Sequence, residues 1–173
     1  MRIFISIDIQ EEIKKEIYRI QQNLPEFFGK KTEIKNLHLT LKFFGEIDDR
    51  KIEVIKKKLA EIKFKKFETE IDSIGVFSEK FIRIIWIHMT NCEKLQIAID
   101  EKLKDLFDKE KRFMSHLTIA RVKSIKNKKD FLEKLGKIKI QRISFIVDNF
   151  RLKKSTLTEK GPIYETIEEY KFL

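Results

Sequence analysis

Apolar positions along the chain change period several times, and each change marks an element. Arg2-Ile3-Phe4-Ile5-Ser6-Ile7-Asp8 reads as a strand, after which Ile13, Ile17, Ile20 and Leu24 recur at helical spacing until Pro25. Beyond Gly29, the run His38-Leu39-Thr40-Leu41-Lys42-Phe43 alternates with period two and Gly45 closes it. Helical spacing returns at Ile52, Ile55, Leu59 and Ile62, and two strands are expected near 66–74 and 81–88. Leu95, Ile99, Leu103 and Leu106 mark a third helix, and His116-Leu117-Thr118-Ile119-Ala120-Arg121-Val122 alternates again. A short helix near 128–136 and strands near 140–152 and 163–172 complete the series.

Several strands follow one another without an intervening helix, which favours antiparallel pairing and an α+β fold over a doubly wound parallel sheet. The clearest internal echo is His38-Leu-Thr-Leu against His116-Leu-Thr-Ile, and it suggests a duplicated βα unit. No Pro/Gly/Ser linker divides the chain, so residues 1–173 are expected to form one domain.

Length and composition narrow the class. A chain of 173 residues with 42% hydrophobic content can bury a sizeable core without disulfides or a structural metal. Its lone Cys92 forms no internal disulfide, which fits a reducing compartment. The longest apolar stretches, such as Ile84-Ile85-Trp86-Ile87, are far short of a membrane span, and Met1-Arg2 runs straight into a strand pattern. A cytoplasmic protein is expected. The net charge of +10 resides mostly in residues 81–173, where 109–129 holds Lys109, Lys111, Arg112, Arg121, Lys123, Lys126, Lys128 and Lys129 against Glu110 alone. A polyanionic partner such as nucleic acid fits that excess, and so does an ordinary lysine-rich surface.

The paired strands carry the candidate chemistry. Strand residues i and i+2 share a face, so His38 and Thr40 point one way while Leu39 and Leu41 anchor the other, and His116 and Thr118 repeat the arrangement. Two imidazoles able to exchange protons near neutrality, flanking hydroxyls able to bond phosphate oxygens, suit phosphoryl chemistry. A single such match is ordinarily a satisfied strand histidine; two with the same apolar filler, among three histidines, are not. Neither motif has an Asp, Glu or Cys two residues away, so no metal site and no cofactor are expected. His88-Met89-Thr90-Asn91 also fits the literal pattern. There Thr90 and Glu93 read as a capping box, His88 as a strand-end residue and Cys92 as a small buried one.

On these residues the chain resembles the RNA 2′,3′-cyclic phosphodiesterases, once called 2′-5′ RNA ligases, of the two-histidine phosphoesterase superfamily. The likeness runs through Arg2–Asp8, Asn36-Leu-His-Leu-Thr-Leu-Lys-Phe-Phe-Gly45, Arg83-Ile-Ile-Trp86, His116-Leu-Thr-Ile-Ala-Arg121 and Ser155…Gly161-Pro-Ile-Tyr164. Phe44 stands where Leu is commoner, and Ser115 where Pro often precedes the second histidine.

The resemblance implies a bilobal fold, two antiparallel β-sheets facing across a central cleft with helices outside, arranged as a pseudo-twofold repeat. It implies His38 as proton donor, His116 as proton acceptor, and Thr40, Thr118 and Arg121 as phosphate-binding residues. It implies metal-independent hydrolysis of an RNA with a 2′,3′-cyclic phosphate end, a tRNA fragment being one candidate, to a 2′-phosphomonoester. No membrane and no obligate protein partner are implied. Strict alternation puts Arg121, five residues past His116, on the opposite face unless a bulge turns it, and puts Phe43 in the core. Two other readings remain at this stage: 2′-5′ joining or cleavage at the same histidines, and a non-catalytic RNA-binding module, although backbone binding alone needs no matched imidazoles.

Overall fold

Element boundaries follow the apolar spacing closely. The computed structural model describes residues 1–173. It contains β1 (Arg2–Asp8), α1 (Glu11–Gln22), β2 (Phe28–Lys31), a 3₁₀ turn at Ile34–Asn36, β3 (His38–Glu46), α2 (Asp49–Ala60), β4 (Phe67–Val76) and β5 (Ile84–Met89). There follow α3 (Glu93–Leu103), β6 (His116–Ser124), α4 (Lys128–Gly136), β7 (Ser144–Val147), β8 (Asn149–Thr158) and β9 (Gly161–Lys171). Asp48 caps α2 by accepting from the Lys51 N–H at 2.9 Å, and Asn127 caps α4 from the Asp130 N–H at 3.1 Å.

The α+β reading holds, with every strand pair antiparallel. The strands form one hydrogen-bonded path, β7-β4-β5-β6-β3-β1-β8-β9, with β2 added beside β6. Where two sheets were expected, the halves are thus joined, and the joint is a single paired position, Leu39 with Leu117. Leu39, Leu117, Ile3, Ile5, Ile7 and Ile85 are fully buried or nearly so, in a core that the helices cover with Ile13, Ile17, Ile55, Leu95 and Ile99. No helix is long and apolar enough to cross a membrane.

Three local differences from the sequence reading have physical causes. The run near 140–152 is two strands that part at Asp148, β7 pairing with β4 and β8 with β1, at opposite ends of the path. Apolar periodicity cannot reveal a change of partner. Strand β2 has four exposed residues and no apolar alternation; pairing with β6 alone makes it a strand. Thr90 does not cap α3, whose N-cap is Cys92; its hydroxyl instead accepts from the Glu70 N–H at 3.0 Å, tying β4 to the α3 entrance. Cys92 is buried, as expected.

Candidate active site

Each histidine opens its strand and is held by the same backbone contact. His38 Nδ1 lies 2.7 Å from the Asn36 carbonyl and His116 Nδ1 lies 2.7 Å from the Met114 carbonyl. A carbonyl only accepts, so both rings carry hydrogen on Nδ1 and turn Nε2 away from the backbone. His38 Nε2 is 3.0 Å from the Thr40 hydroxyl, which donates to it while the ring is neutral.

Aromatic rings fix the imidazole planes. Tyr164 on β9 meets His38 edge-on, with centroids 5.0 Å apart at 84°, and Phe4 lies 5.0 Å away on another side. Phe77 meets His116 edge-on at 4.9 Å and 89°. Both histidines, both threonines and Arg121 line one cavity of about 570 Å³. All five residues expected from the sequence therefore come together.

Arg121 reaches the cavity through a bulge. Ala120 pairs with Ile85 and Thr118 with Trp86, which leaves Ile119 as an extra residue and shifts the phase of everything after it. Ala120 becomes buried and Arg121 turns to the cleft. The Ile119 carbonyl accepts from the Thr32 N–H and from the Gln21 side chain, each at 2.9 Å, so helix α1 and the segment after β2 hold the bulge in place.

Strand β3 contains the matching device. Lys42 pairs with Ile5 and Thr40 with Ser6, leaving Leu41 extra. Lys42 is carried into the core, where its ammonium donates to Asp100 at 2.6 Å and to the Asp108 carbonyl at 2.8 Å. Phe43 emerges on the cleft, half exposed, with the Arg2 guanidinium 4.9 Å from its ring centre. This corrects the expectation that Phe43 packs in the core. The two motifs thus superpose bulge on bulge, with Phe43 at the place in β3 that Arg121 holds in β6.

The positive lining comes mainly from elsewhere than the sequence suggested. Of the eight basic residues in 109–129, Arg121 alone lines the cavity; Arg2, Lys30 and Lys31 supply its other cations, with Glu33 opposing them. Alternation in β1 marks Arg2 and Phe4 as one face, and that face sits opposite Phe43 and Thr40 only because β1 pairs with β3. Gly29 lets β2 approach this edge: a Cβ there would lie 2.2 Å from the Arg121 carbonyl oxygen.

Burial pushes the His38 pKa down to about 4 against the bond to the Asn36 carbonyl, with Lys153 and Arg121 adding positive charge. His116 is also lowered, by burial first and by Arg121 and His88 after it. Asp8, paired in register with His38, accepts from Lys153 and Arg151. Burial raises its pKa, but the two cations outweigh that and hold it below the usual carboxylate value. His88 faces His116 in register and donates through Nδ1 to Asp72 at 2.7 Å, outside the cavity walls.

Residues 7–86 and 90–164 match the family model described as LigT like Phosphoesterase. The chain is 41% identical to the RNA 2′,3′-cyclic phosphodiesterase of Methanocaldococcus jannaschii, covering 98% of this chain and all of that one. It is 35% identical to the protein of the same name from Thermotoga maritima, over 99% of this chain and 96% of the other. Among solved structures, Escherichia coli LigT complexed with 3′-AMP superposes with a TM-score of 0.80 at 22% identity, over 99% of this chain and 97% of that one. A Thermus thermophilus protein superposes with a TM-score of 0.79 at 23% identity, over 99% and 97% of the two chains.

Proposed function

The chain belongs to the LigT-like phosphoesterase family, and from that premise we propose that it is an RNA 2′,3′-cyclic phosphodiesterase that opens the cyclic phosphate to a 2′-phosphomonoester without a metal. The observation that carries this reading is the pair of imidazoles with matched Nδ1 anchors lining one cavity beside two hydroxyls and a guanidinium.

In an in-line displacement, water attacks phosphorus opposite the departing ribose oxygen, so one proton acceptor and one proton donor are needed on opposite sides. His116 Nε2 takes the proton of the water. His38, protonated at Nε2, gives its proton to O3′ as the P–O3′ bond breaks, leaving phosphate on O2′. The hydroxyls of Thr40 and Thr118 donate to non-bridging oxygens, and Arg121 neutralises the charge that grows there. The chain acts as one domain of two lobes, β3-β1-β8-β9 and β6-β5-β4-β7, related by a pseudo-twofold axis through the Leu39–Leu117 joint. With the short strands β2 and β7 set aside, the order β1-α1-β3-α2-β4 recurs as β5-α3-β6-α4-β8, which supports that reading. RNA fragments ending in a cyclic phosphate, those of tRNA included, are the proposed substrates.

Incubating the protein and a chelator with an oligonucleotide ending in a 2′,3′-cyclic phosphate tests the reading. Turnover persists on this account, and strict dependence on an added metal contradicts it. The pH profile is a second check. Both imidazoles are lowered from 6.5, so in the free protein the protonated donor becomes scarce well below neutrality. The profile of kcat/KM peaks below pH 6.5, falling on the alkaline side as His38 loses its proton and on the acid side as His116 gains one. A bound phosphodiester anion beside Nε2 favours imidazolium, so the kcat profile lies at higher pH. A kcat/KM optimum above pH 8 contradicts this assignment. Thr40→Ala or Thr118→Ala removes one hydrogen bond to a charged group and lowers kcat/KM by about 10- to 150-fold.

A further inference from the structure

The β4–β5 hairpin, whose Phe77 holds the His116 ring by its edge, carries aromatic surface that this contact leaves uncovered. Phe77 lies edge-on against His116 and 5.9 Å from Trp86, outside the walls of the cavity. It is nonetheless 53% exposed, and Phe81, four residues on, is 72% exposed. Two large rings left to solvent on one short hairpin are costly unless something covers them.

The surroundings point to what does. The Arg83 guanidinium donates to the Lys123 carbonyl at 2.8 Å, and the Lys128 ammonium donates to the Lys80 carbonyl at 2.7 Å, so the hairpin is fastened to β6 and α4 by cations. Glu79 is the one acidic residue of the loop 77–83 that joins the two strands. Exposed rings set among Lys and Arg are the composition that binds single-stranded nucleic acid, the rings stacking on bases and the cations following the phosphates.

We propose that Phe77, with Phe81, is the stacking platform for the base of the nucleotide that precedes the cyclic-phosphate residue, so that the substrate is an RNA strand rather than a mononucleotide. This rests on the cyclic-phosphate reading. A cyclic phosphate ends its strand, so the terminal nucleotide has one neighbour, on its 5′ side. Phe43 and Tyr164 already line the cavity that takes the terminal nucleoside. A stacked step advances about 3.4 Å along a strand. The Phe77 ring lies 4.9 Å from that of His116, between one and two such steps from the histidine that faces the reacting phosphate, which is the place of the neighbouring nucleotide.

Trp86 is the single tryptophan of the chain and reports on this platform by fluorescence. The test titrates a 2′-phosphate-ended dinucleotide and the corresponding mononucleotide into the wild type and into Phe77→Leu and Phe77→Leu/Phe81→Ala variants, and repeats the comparison as kcat/KM on the two cyclic phosphates. The wild type binds the dinucleotide at least about 5-fold more tightly, the lower edge of what one base stack contributes. The variants lose most of that advantage. A variant that merely disturbs His116 weakens both substrates alike and keeps the ratio. Equal affinity for the two ligands in the wild type, or a ratio that survives in the variants, overturns the proposal. Failure to open either cyclic phosphate counts against the proposed function instead, and the binding ratio still decides the platform.

Discussion

His38→Ala and His116→Ala each lower turnover of a 2′,3′-cyclic phosphate end by at least about 10²-fold, the usual scale for a general acid or base, while circular dichroism shows an intact fold. Neither change empties the main core: both rings sit on the cleft face, half buried, with Leu39 and Leu117 carrying the packing behind them. The two losses differ in kind. A phosphodiester with a nitrophenolate leaving group needs no proton donor, so on that substrate His38→Ala retains far more activity than His116→Ala. Because both groups act in one displacement, the double variant loses little beyond the worse single one. Full activity in either single variant removes that histidine from the mechanism, and equal responses to the nitrophenolate substrate reverse or abolish the donor and acceptor assignment.

The second large effect concerns stability. Lys42 and Asp100 are both almost fully buried, and their ion pair joins β3 to α3 and to the segment at Asp108. Asp100 also accepts from the Gln96 side chain and the Glu110 N–H, each at 2.7 Å. Lys42→Met keeps the length and removes the charge, stranding a carboxylate in the core at a cost of about 3–5 kcal/mol. For a chain of this size the melting temperature falls by roughly 6–20 °C. Adding Asp100→Asn recovers most of the loss, because the stranded charge rather than the missing contact dominates it. Burial raises the Asp100 pKa, but Lys42 and the two other donors hold it below 3.8. The pair's contribution is complete above that value and is lost as pH falls through the lower folded pKa. A drop of less than about 2 °C in thermal unfolding at pH 7 would show that the pair does not hold β3.

Period two was enough to bring out the cleft-lining face up to Thr40 and Thr118, because nothing interrupts pleating between each histidine and its threonine. It fails one residue later in both strands. An inserted residue in a bulge has no composition of its own: Leu41 and Ile119 are as apolar as any core position, yet each reverses the facing of the residues after it. Phe43 and Arg121 therefore reach the cleft against the simple alternation, and the buried Lys42 is the visible sign of the first bulge. Arg2, Lys30, Lys31 and Tyr164 join the site through pairings made far along the chain, which local spacing does not encode. Helices were the more legible part. The residues at 128–136 form α4 as expected, whereas the third helix ends at Leu103 and leaves Leu106 in the turn beyond.

Two imidazoles in one cleft that open a cyclic phosphate with O3′ as the leaving oxygen leave a product that shows which bond broke. End-group mapping of an oligonucleotide 2′,3′-cyclic phosphate after incubation with the wild-type protein reads that product. A 2′-phosphate and a free 3′-hydroxyl are expected. A cyclic end left intact under those conditions contradicts the two-imidazole opening, and a dominant 3′-phosphate contradicts the orientation that gives His38 the proton and His116 the water.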